Sequence, residues 1–492
     1  MLASLLTSTA LYLMPADTLA LQPTDTLPVG TWPDVHVSHP YWRATGEVLL
    51  VNTFFQLWDQ FVLNLEYSNI TMSSIRQNFQ RGWVWDNDNF MINQIGHPYQ
   101  GSLYYSSARA SGLSYWQSLP YCLLGSATWE YFCETDPPAI NDVITTPLGG
   151  AALGEITWRL SGMVLDDSSR GMRRFWREAA ALCLNPMRGI NRIVSGEAWR
   201  YRPGSRYRYH DPEEFPVHGM VGIGGRHLNR DFDRRHGDYN AQVTARLVYG
   251  DEFSEEDVHP YDYFVFNVEA GFGGYQPWLQ QVNVLGRLWG HLHETRHGHE
   301  VQAGFYQHFN FYNSADVEGG GDAAYAPFLI SETASFGPGI IMRQKDHSGF
   351  FHWTHYAYLS GILLGATKSD NYNILERTYN MGSGYSIRTG TMHQWGNVAS
   401  LAFTVDHYHL FTWKDYDADY VARHEDLHYL NAPGNKGHTL MDIVQLSFGW
   451  HFSRHFSWML EPTYYFRQSH YAAFPTVTYR TFEVSSSIVW RM

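Results

Sequence analysis

The chain contains few cysteines and no run of basic residues. Only three of its 492 residues are cysteines, Cys122, Cys133 and Cys183. One disulfide pair is possible in an oxidising compartment, but the odd number leaves at least one free thiol and the spacing fits no metal motif. We expect all three to be buried apolar side chains. Because 34 Lys and Arg stand against 48 Asp and Glu, the formal net charge is −14. Nucleic-acid binding needs clustered cations that neutralise phosphates, so the sequence excludes this class of function.

The first half also lacks a clean apolar segment that would cross a membrane as a helix. The segment "GEVLLVNTFFQLWDQFVLNLEY", residues 46–67, is long enough for a bilayer. Polar side chains interrupt it at intervals of mostly three and four residues, and they are Asn52, Gln56, Asp59, Gln60 and Asn64. This spacing places them in one stripe, which a helix surrounded by lipid would not carry. We predict an amphipathic helix that packs in a helical bundle or inside a barrel lumen.

The N-terminus carries a short apolar stretch without the basic residues that usually precede one. Residues 1–20 end in small side chains around Ala20, as in a signal peptide. We predict an export signal over 1–20, with an ordinary buried segment as the alternative.

Aromatic residues, by contrast, are abundant. The 33 Tyr, 28 Phe and 18 Trp make up 16% of the chain, and these residue types suit strands and the girdles at a membrane–water boundary. Near residue 205 the apolar residues change from helical spacing to alternation with period two. We therefore predict a helical domain over 21–205 and a β domain over 206–492.

The β domain shows the alternation of about twelve long strands. We predict them near residues 216–229, 239–250, 262–273, 281–295, 299–312, 327–342, 351–367, 377–390, 397–412, 439–453, 456–469 and 475–491. Strands of a soluble sandwich are typically about five or six residues long. In "YNAQVTARLVYG", Val243 and Leu247 share an apolar face, whereas Gln242 and Arg246 share a polar one. A transmembrane barrel turns the apolar face to lipid, while a large soluble β domain, the alternative, turns it to a core.

The connections favour the barrel. Those after the first, third, fifth, seventh and ninth strands look long, and those after the fourth, eighth and tenth look tight; "DEFSEEDVHP" after the second strand is an exception. Transmembrane barrels alternate short periplasmic turns with longer external loops. The predicted fold is mainly β: a transmembrane antiparallel barrel of about 12 strands in the bacterial outer membrane, with an N-terminal α-helical domain in or beneath the lumen.

Charged residues within the strands indicate a hydrated inner wall. The polar faces carry candidates for the lumen, and these are Arg246, Arg287, Arg388, Asp406 and Arg467. They fit a lumen but suit both a plugged barrel and a lipid-modifying enzyme.

Three blocks of the helical half resemble a known family. The residues that carry the resemblance are His97 to Gly101, Ala108-Arg109, Trp129 to Tyr131, Asn141-Asp142, Gly149-Gly150, Gly154-Glu155, Arg159, Asn185-Pro186 and Gly189 to Arg192. Over roughly residues 45–200 the chain resembles DUF3943, a family of bacterial envelope proteins best represented in Bacteroidota. The resemblance implies an envelope location and brings no activity.

Ionisable residues in these blocks allow two interpretations. In the first, Arg109 and Arg159 pair with Glu130 and Glu155 to join helices, and the glycines allow close helix contact. Glu134 is a further candidate for such ion pairs. In the second, His97, Glu130 and Asp142 form a general acid/base or metal site. A surface for a ligand or partner remains a third alternative.

Histidines and serines of the β domain give weaker signals. In "DHYHLF", His407 and His409 share a face of a strand and could chelate a metal, but nearby carboxylates lack a tight ligand spacing. Ser383 and Ser386 lie among glycines, but no motif ties them to a histidine as in a lipid hydrolase of the barrel wall. We assign no metal and no cofactor.

The sequence leaves two functions open. The first is a barrel that serves passage, assembly or organisation at the cell envelope. The alternative is an outer-membrane enzyme that modifies lipid or glycolipid through a His/carboxylate or Ser/His site. Expected partners are outer-membrane lipid and other envelope proteins, with no nucleic acid.

Overall fold

The computed structural model describes residues 39–230, 237–254, 259–314, 328–344, 350–371, 374, 376–417, 419, 422–423 and 431–492. The predicted export signal over residues 1–20 lies outside these residues. The chain forms two compact units. The helical unit comprises residues up to Val84 and Ile95–Pro216, and the barrel unit comprises Trp85–Gln94 and Val217–Met492.

The helical unit contains seven described α-helices, and the connections over residues 59–71 and 81–96 are its longest. The helices are α1 (Pro40–Trp58), α2 (Met72–Gln80), α3 (His97–Ala110), α4 (Tyr115–Phe132), α5 (Ile140–Val164), α6 (Gly171–Leu184) and α7 (Pro186–Val194). Capping boxes begin two of them: Thr71 caps α2 and Ser114 caps α4, each exchanging hydrogen bonds with the third residue of its helix.

Glycines bring α3 and α5 into backbone contact. A Cβ at Gly101 would collide with the carbonyl oxygen of Thr146, and one at Gly150 would overlap the backbone of Gly101. Gly154 leaves room for the ring of Tyr105. Small residues at a helix crossing let the two axes approach, so this pair of helices forms the centre of the unit.

Helix α1 has a polar inner side and an apolar outer side. Asn52 is buried, and its amide donates to the carbonyl oxygen of Gly125 at 2.9 Å. Leu50 and Phe54, in contrast, are 68% and 58% exposed. Asn52, Gln56 and Asp59 of the predicted polar stripe are therefore buried in the bundle, and the apolar side is uncovered. Asn64 lies beyond the helix and is exposed. Among the described helices, none is long and apolar enough to cross a bilayer.

The three cysteines differ in their exposure to solvent. Cys122 and Cys133 are buried, as expected, but Cys183 is exposed. The expectation was wrong for Cys183 because the helix that carries it, α6, is amphipathic and presents this position to its outer side.

The barrel unit is a closed antiparallel barrel of twelve strands, which confirms the predicted fold class. The strands are β1 (Val217–Arg230), β2 (Asp238–Tyr249), β3 (Phe264–Phe272), β4 (Leu279–Glu294), β5 (His299–Tyr312), β6 (Ile330–Gln344), β7 (Phe351–Lys368), β8 (Tyr379–Trp395), β9 (Ala399–Thr412), β10 (Gly437–Trp450), β11 (Phe456–Tyr471) and β12 (Val477–Arg491). Each strand pairs with its neighbours in sequence, and β1 pairs with β12 to close the sheet.

The barrel has two ends that differ in their connections. The end that holds the connection between β9 and β10, residues 413–436, is named the loop end; the end that holds the hairpins 295–298 and 396–398 is named the turn end. The connection after β3, residues 273–278, is short, contrary to expectation. Gly273 and Gly274 adopt positive φ there, which allows a tight reversal.

The outer face is apolar and carries tryptophans near the turn end. Alternation and register place on this face Trp289, Trp353, Trp395, Trp450 and Trp490. Mid-strand positions of the same face are aliphatic or aromatic, as at Ile387, Phe403 and Phe448. This distribution is typical of a lipid-facing wall bounded by an aromatic girdle.

Residues 85–94 belong to the barrel unit although they lie within the helical half of the sequence. The ring of Phe90 stacks on Phe311 of β5 with centroids 4.9 Å apart, and the Gln94 side-chain oxygen accepts from the Ser331 hydroxyl of β6 at 2.7 Å. Phe311 and Ser331 pair with each other and alternate with inward residues. This segment therefore covers the outer face of β5 and β6 near the loop end.

The domain boundary predicted at residue 205 assigns residues 85–94 to the helical domain, whereas they belong to the barrel unit. The barrel begins at Val217, and residues 206–216 belong to the helical unit. The placement of the helical domain in or beneath the lumen stays a prediction.

Candidate functional site

The inner face of the barrel carries the five charged candidates for the lumen. Alternation and register place Arg246, Arg287, Arg388, Asp406 and Arg467 on this face. Two of them bind connections rather than line an open space. Arg287 donates to the Glu252 carbonyl oxygen at 2.6 Å, and Arg467 lies 2.6 Å from an Asp370 carboxylate oxygen.

An apolar layer fills the lumen on the loop side. We define it by its ten buried members, Leu228, Tyr312, Phe328, Ile330, Ile362, Tyr408, Leu410, Met441, Ile443 and Tyr465. Side chains from opposite walls meet in it: the ring of Phe328, next to β6, stacks on Tyr465 of β11 with centroids 3.9 Å apart. Because these strands lie on opposite sides of the closed sheet, the layer spans the lumen.

A cavity of about 560 Å³ lies in the lumen. Its wall is largely aromatic and aliphatic, with Val248, Tyr263, Val265, Leu285, Ile341, Tyr356, Tyr358 and Met392 among its lining residues. Charged groups are restricted to a few positions, which include Arg246, Glu269, Arg388 and Asp406. A concave apolar site with a few convergent polar groups is the usual form of a small-molecule site.

The charged groups beside the cavity are held in ion pairs. Arg246 lies 2.7 Å from a Glu461 carboxylate oxygen, and Arg226 lies 2.6 Å from one of Glu483. These strands, β1, β2, β11 and β12, are consecutive around the barrel. The pairs fix one side of the polar wall, because removing one partner would leave a buried charge uncompensated.

Glu332 fixes the opposite side. Its carboxylate is fully buried and accepts hydrogen bonds from hydroxyl groups and one amide, donated by Ser335, Ser360, Ser386 and Asn310. The hydroxyl of Ser386 lies 2.9 Å from Glu332. Ser386 is therefore a partner of a buried carboxylate on the inner face, and this geometry gives no support to a serine–histidine pair.

Arg388 is held in no ion pair within the described residues, unlike Arg246 and Arg226. Its Nη1 donates to Asn310 at 3.4 Å, while its buried Nε and Nη2 atoms have no hydrogen-bond partner within the described part of the chain. Buried donors are normally satisfied, so these two atoms are places for an acceptor on a bound molecule or water.

In the helical unit, two of the three residues proposed as a catalytic set lie near each other. His97 Nε2 is 3.6 Å from an Asp142 carboxylate oxygen. Glu130 has a structural contact: its carboxylate accepts from the backbone N–H of Ala139 at 2.7 Å, at the N-terminus of α5. A carboxylate at this position satisfies a free N–H and complements the helix dipole.

The predicted ion-pair residues gather around one carboxylate. Glu155 is fully buried, and Arg109 and Arg159 contact it at 2.9 and 3.0 Å. The hydroxyl of Tyr105 donates to the same carboxylate at 2.7 Å. Glu134 accepts from the Trp129 indole N–H at 3.1 Å. The structure thus brings together α3 and α5 through charged groups, with Glu155 rather than Glu130 between the two arginines.

A second charged cluster was missed by the sequence reasoning. The carboxylate of Asp167 is fully buried and contacts Arg192 at 2.7 Å, Arg174 at 2.8 Å and Arg202 at 3.0 Å. Burial alone would raise the pKa of Asp167, but Arg192 and Arg174 outweigh it and hold the pKa below its usual range. The arginine-rich segment 170–177 was the available signal, but spacing alone did not connect it to Asp167.

Comparison with known proteins finds distant structural matches and one region of the sequence that matches a family. A NanC porin is 10% identical over 54% of this chain and 98% of its own, with a TM-score of 0.26. A CymD monoaromatic hydrocarbon channel is 10% identical over 56% of this chain and 87% of its own, with a TM-score of 0.22. OmpT, an outer membrane protein of Vibrio cholerae, is 8% identical over 56% of this chain and 97% of its own, with a TM-score of 0.23.

Among curated proteins, none matches the chain. The sequence resemblance is tested by the family comparison, which covers the blocks from His97 to Pro186. Residues 82–187 match the model of DUF3943, a domain of unknown function, so the resemblance seen in the sequence motifs is confirmed.

Proposed function

We propose that the chain is an outer-membrane barrel whose lumen binds a small amphipathic molecule in a cavity that an apolar layer closes on the loop side, as one step of its passage through the envelope. The observation that carries this proposal is the apolar layer beside the lumen cavity. Because this layer spans the lumen, the proposed function differs from that of an open diffusion pore.

The outer face supports a membrane location. Its apolar mid-strand residues and the tryptophans near the turn end match a wall in contact with lipid. The exposed apolar side of α1 supports the same environment, because a helix in water turns its polar stripe outward. Outer-membrane lipid is therefore the first expected partner.

The cavity supports a ligand of mixed character. Tyrosines and aliphatic side chains offer contact to an apolar body, and the Nε and Nη2 atoms of Arg388 offer donors to a head group with acceptor oxygens. A carboxylate or phosphate has oxygens that could accept hydrogen bonds from both of these Arg388 atoms.

Conductance in planar bilayers tests the closed lumen. The purified full chain should give no steady ion current, because the apolar layer excludes hydrated ions. A variant with Tyr408→Ala and Tyr465→Ala removes two rings from the layer and should give steady current steps. Steady current in the wild type would overturn the proposal.

The matched control also removes two tyrosine rings, but from the cavity wall. Tyr356→Ala with Tyr358→Ala enlarges the cavity without thinning the layer and should stay closed. Heat-modifiable gel migration checks that each variant forms a barrel. A folded Tyr408/Tyr465 variant that stays closed would contradict the role given to the layer.

A further inference from the structure

Helices α6 and α7 turn their charged sides into the helical unit. Arg174, Arg177 and Glu178 of α6 are buried. Arg188 and Arg192 of α7 are buried as well. Arg174 and Arg192 each contact the same Glu178 carboxylate oxygen at 2.8 Å. A helix at the surface of a protein in water normally turns its charged side outward, so the surroundings of these two helices are expected to differ from water.

The outer sides of the same two helices are apolar. Their exposed side chains recur at intervals of three and four residues, which places them in one stripe on each helix. They are Met172, Phe175 and Trp176 on α6 and Ile190, Ile193 and Val194 on α7, and we name these six residues the outer apolar surface. Gly189 brings the two helices together, because a Cβ there would overlap the backbone of Leu182.

The exposed charges beside the outer apolar surface are all positive. The acidic residues between positions 166 and 200 are buried, and these are Asp166, Asp167, Glu178 and Glu197. Arg170, Arg173 and Arg200 are exposed in the same segment. The whole chain carries a formal net charge of −14, so this surface differs in sign from the average of the molecule. Its partner is therefore expected to combine apolar groups with negative charge.

We propose that the outer apolar surface lies in the interface of an anionic phospholipid leaflet, with Arg170, Arg173 and Arg200 at the phosphate head groups. Amphipathic helices that lie in an interface bury their apolar side at the acyl boundary, and anionic head groups attract their arginines. The inference rests on the proposed membrane location and extends it to the helical unit. It makes no use of the lumen cavity.

Helix α1 favours lipid over a protein partner. It has the same inverted arrangement, with Asn52 buried and Leu50 and Phe54 exposed. A protein partner would need a matching shape for each of these helices, whereas lipid chains adapt to any apolar side that enters the leaflet. Three inverted helices are thus explained by one medium.

Cys183 offers a natural position for a probe. It is exposed and follows Met172 and Trp176 by eleven and seven residues, which places it on the same side of α6. The full chain is labelled there with a fluorescent maleimide and reconstituted in vesicles of phosphatidylethanolamine and phosphatidylglycerol. A lipid that carries a nitroxide on its acyl chain should quench most of the emission. Iodide, present on both sides of the membrane, should quench little of it.

Two controls carry the label elsewhere in a Cys183→Ser background. Phe448→Cys reports the outer face of the barrel and should be quenched by the nitroxide lipid. Glu213→Cys reports an exposed acidic position of the helical unit and should be quenched by iodide. Arg170→Gln with Arg173→Gln keeps Cys183 and should increase quenching by iodide. Unchanged quenching in this double variant would overturn the role given to the arginines.

The controls separate the possible failures. Quenching of the Cys183 label by iodide alone, with the Phe448→Cys label still in lipid, would overturn this proposal and leave the membrane location of the barrel intact. Protection of the Cys183 label from both quenchers would overturn it too, because protein would then cover the surface. Quenching of the Phe448→Cys label by iodide would contradict the proposed membrane location itself.

Discussion

Glu155 shows what a buried charge does in the helical unit. Its carboxylate joins Arg109 and Arg159 and also accepts from Tyr105, so each of its oxygens is engaged. Removing one member of such a buried set typically costs about 3–5 kcal/mol of stability. Since the same residues lie in the DUF3943 region, this geometry favours the interpretation of the motif residues as helix-joining groups.

His210 provides a pH-dependent prediction. Burial lowers its pKa from 6.5 to about 4, so the unfolded chain binds a proton that the folded chain does not. The free energy of unfolding should therefore be independent of this group above pH 6.5 and fall as the pH drops towards 4. Between pH 7.5 and pH 4.5 the loss is about 2–3 kcal/mol.

The measurement is urea unfolding of the full chain in detergent, followed by far-UV circular dichroism at both pH values. His210→Gln keeps a polar side chain without a titration in this range and should show a smaller loss on acidification. An equal loss in wild type and variant would show that His210 is not buried in its neutral form.

The strands show why a transmembrane barrel can be predicted from sequence. In each strand the apolar side chains face outward and the polar side chains face inward, so the pattern repeats every two residues. Predicted and observed strands agree closely, as in 299–312 for β5. The prediction ended the eighth strand at Gly390, whereas β8 continues to Trp395. That glycine instead leaves room for the ring of Tyr356, and the turn falls at Gly396, which has a positive φ.

A pair of neighbouring positions on β10 tests the two faces. Phe448 lies on the outer face, and Phe448→Arg should reduce stability by about 2–4 kcal/mol if the position lies near the bilayer midplane. Ser447 lies on the inner face, where its hydroxyl contacts Glu461. Ser447→Arg should be milder because the new cation faces a carboxylate.

Both β10 variants are compared with wild type by unfolding in lipid vesicles and by heat-modifiable migration. Equal tolerance at Phe448 and Ser447 would show that the two faces do not differ in environment, and the assignment of the outer face would then be wrong.

For the whole molecule, the class of fold can be predicted from the sequence, whereas the contacts between distant residues cannot. Alternation is local, so strand number and face follow from it. The attachment of 85–94 to the barrel rests on residues such as Phe311 and Tyr379, far away in the sequence. The Asp167 cluster likewise depends on side chains from several helices. No local pattern encodes either contact.

Strand parity gives a prediction of orientation. Twelve antiparallel strands place Val217 and Arg491 at the same end, together with the short hairpins. Single cysteines introduced by Asp417→Cys or Asn431→Cys at the loop end should react with an impermeant maleimide in intact cells. His297→Cys at the turn end should react only after permeabilisation.

The labelling background is Cys183→Ser, because Cys183 is exposed whereas Cys122 and Cys133 are buried. The reverse labelling pattern would place the loop end in the periplasm.

The attachment of residues 85–94 also sets an order of events during biogenesis. Asp86 accepts from Arg377, and Asn93 contacts Tyr379, across sequence separations of 291 and 286 residues. A segment made early must therefore wait until β5, β6 and β8 have been synthesised, exported and paired. Loops of this length close slowly, because their entropy is lost before the contact compensates for it. Residues 85–94 thus complete their contacts only after these strands have formed, although they leave the ribosome earlier.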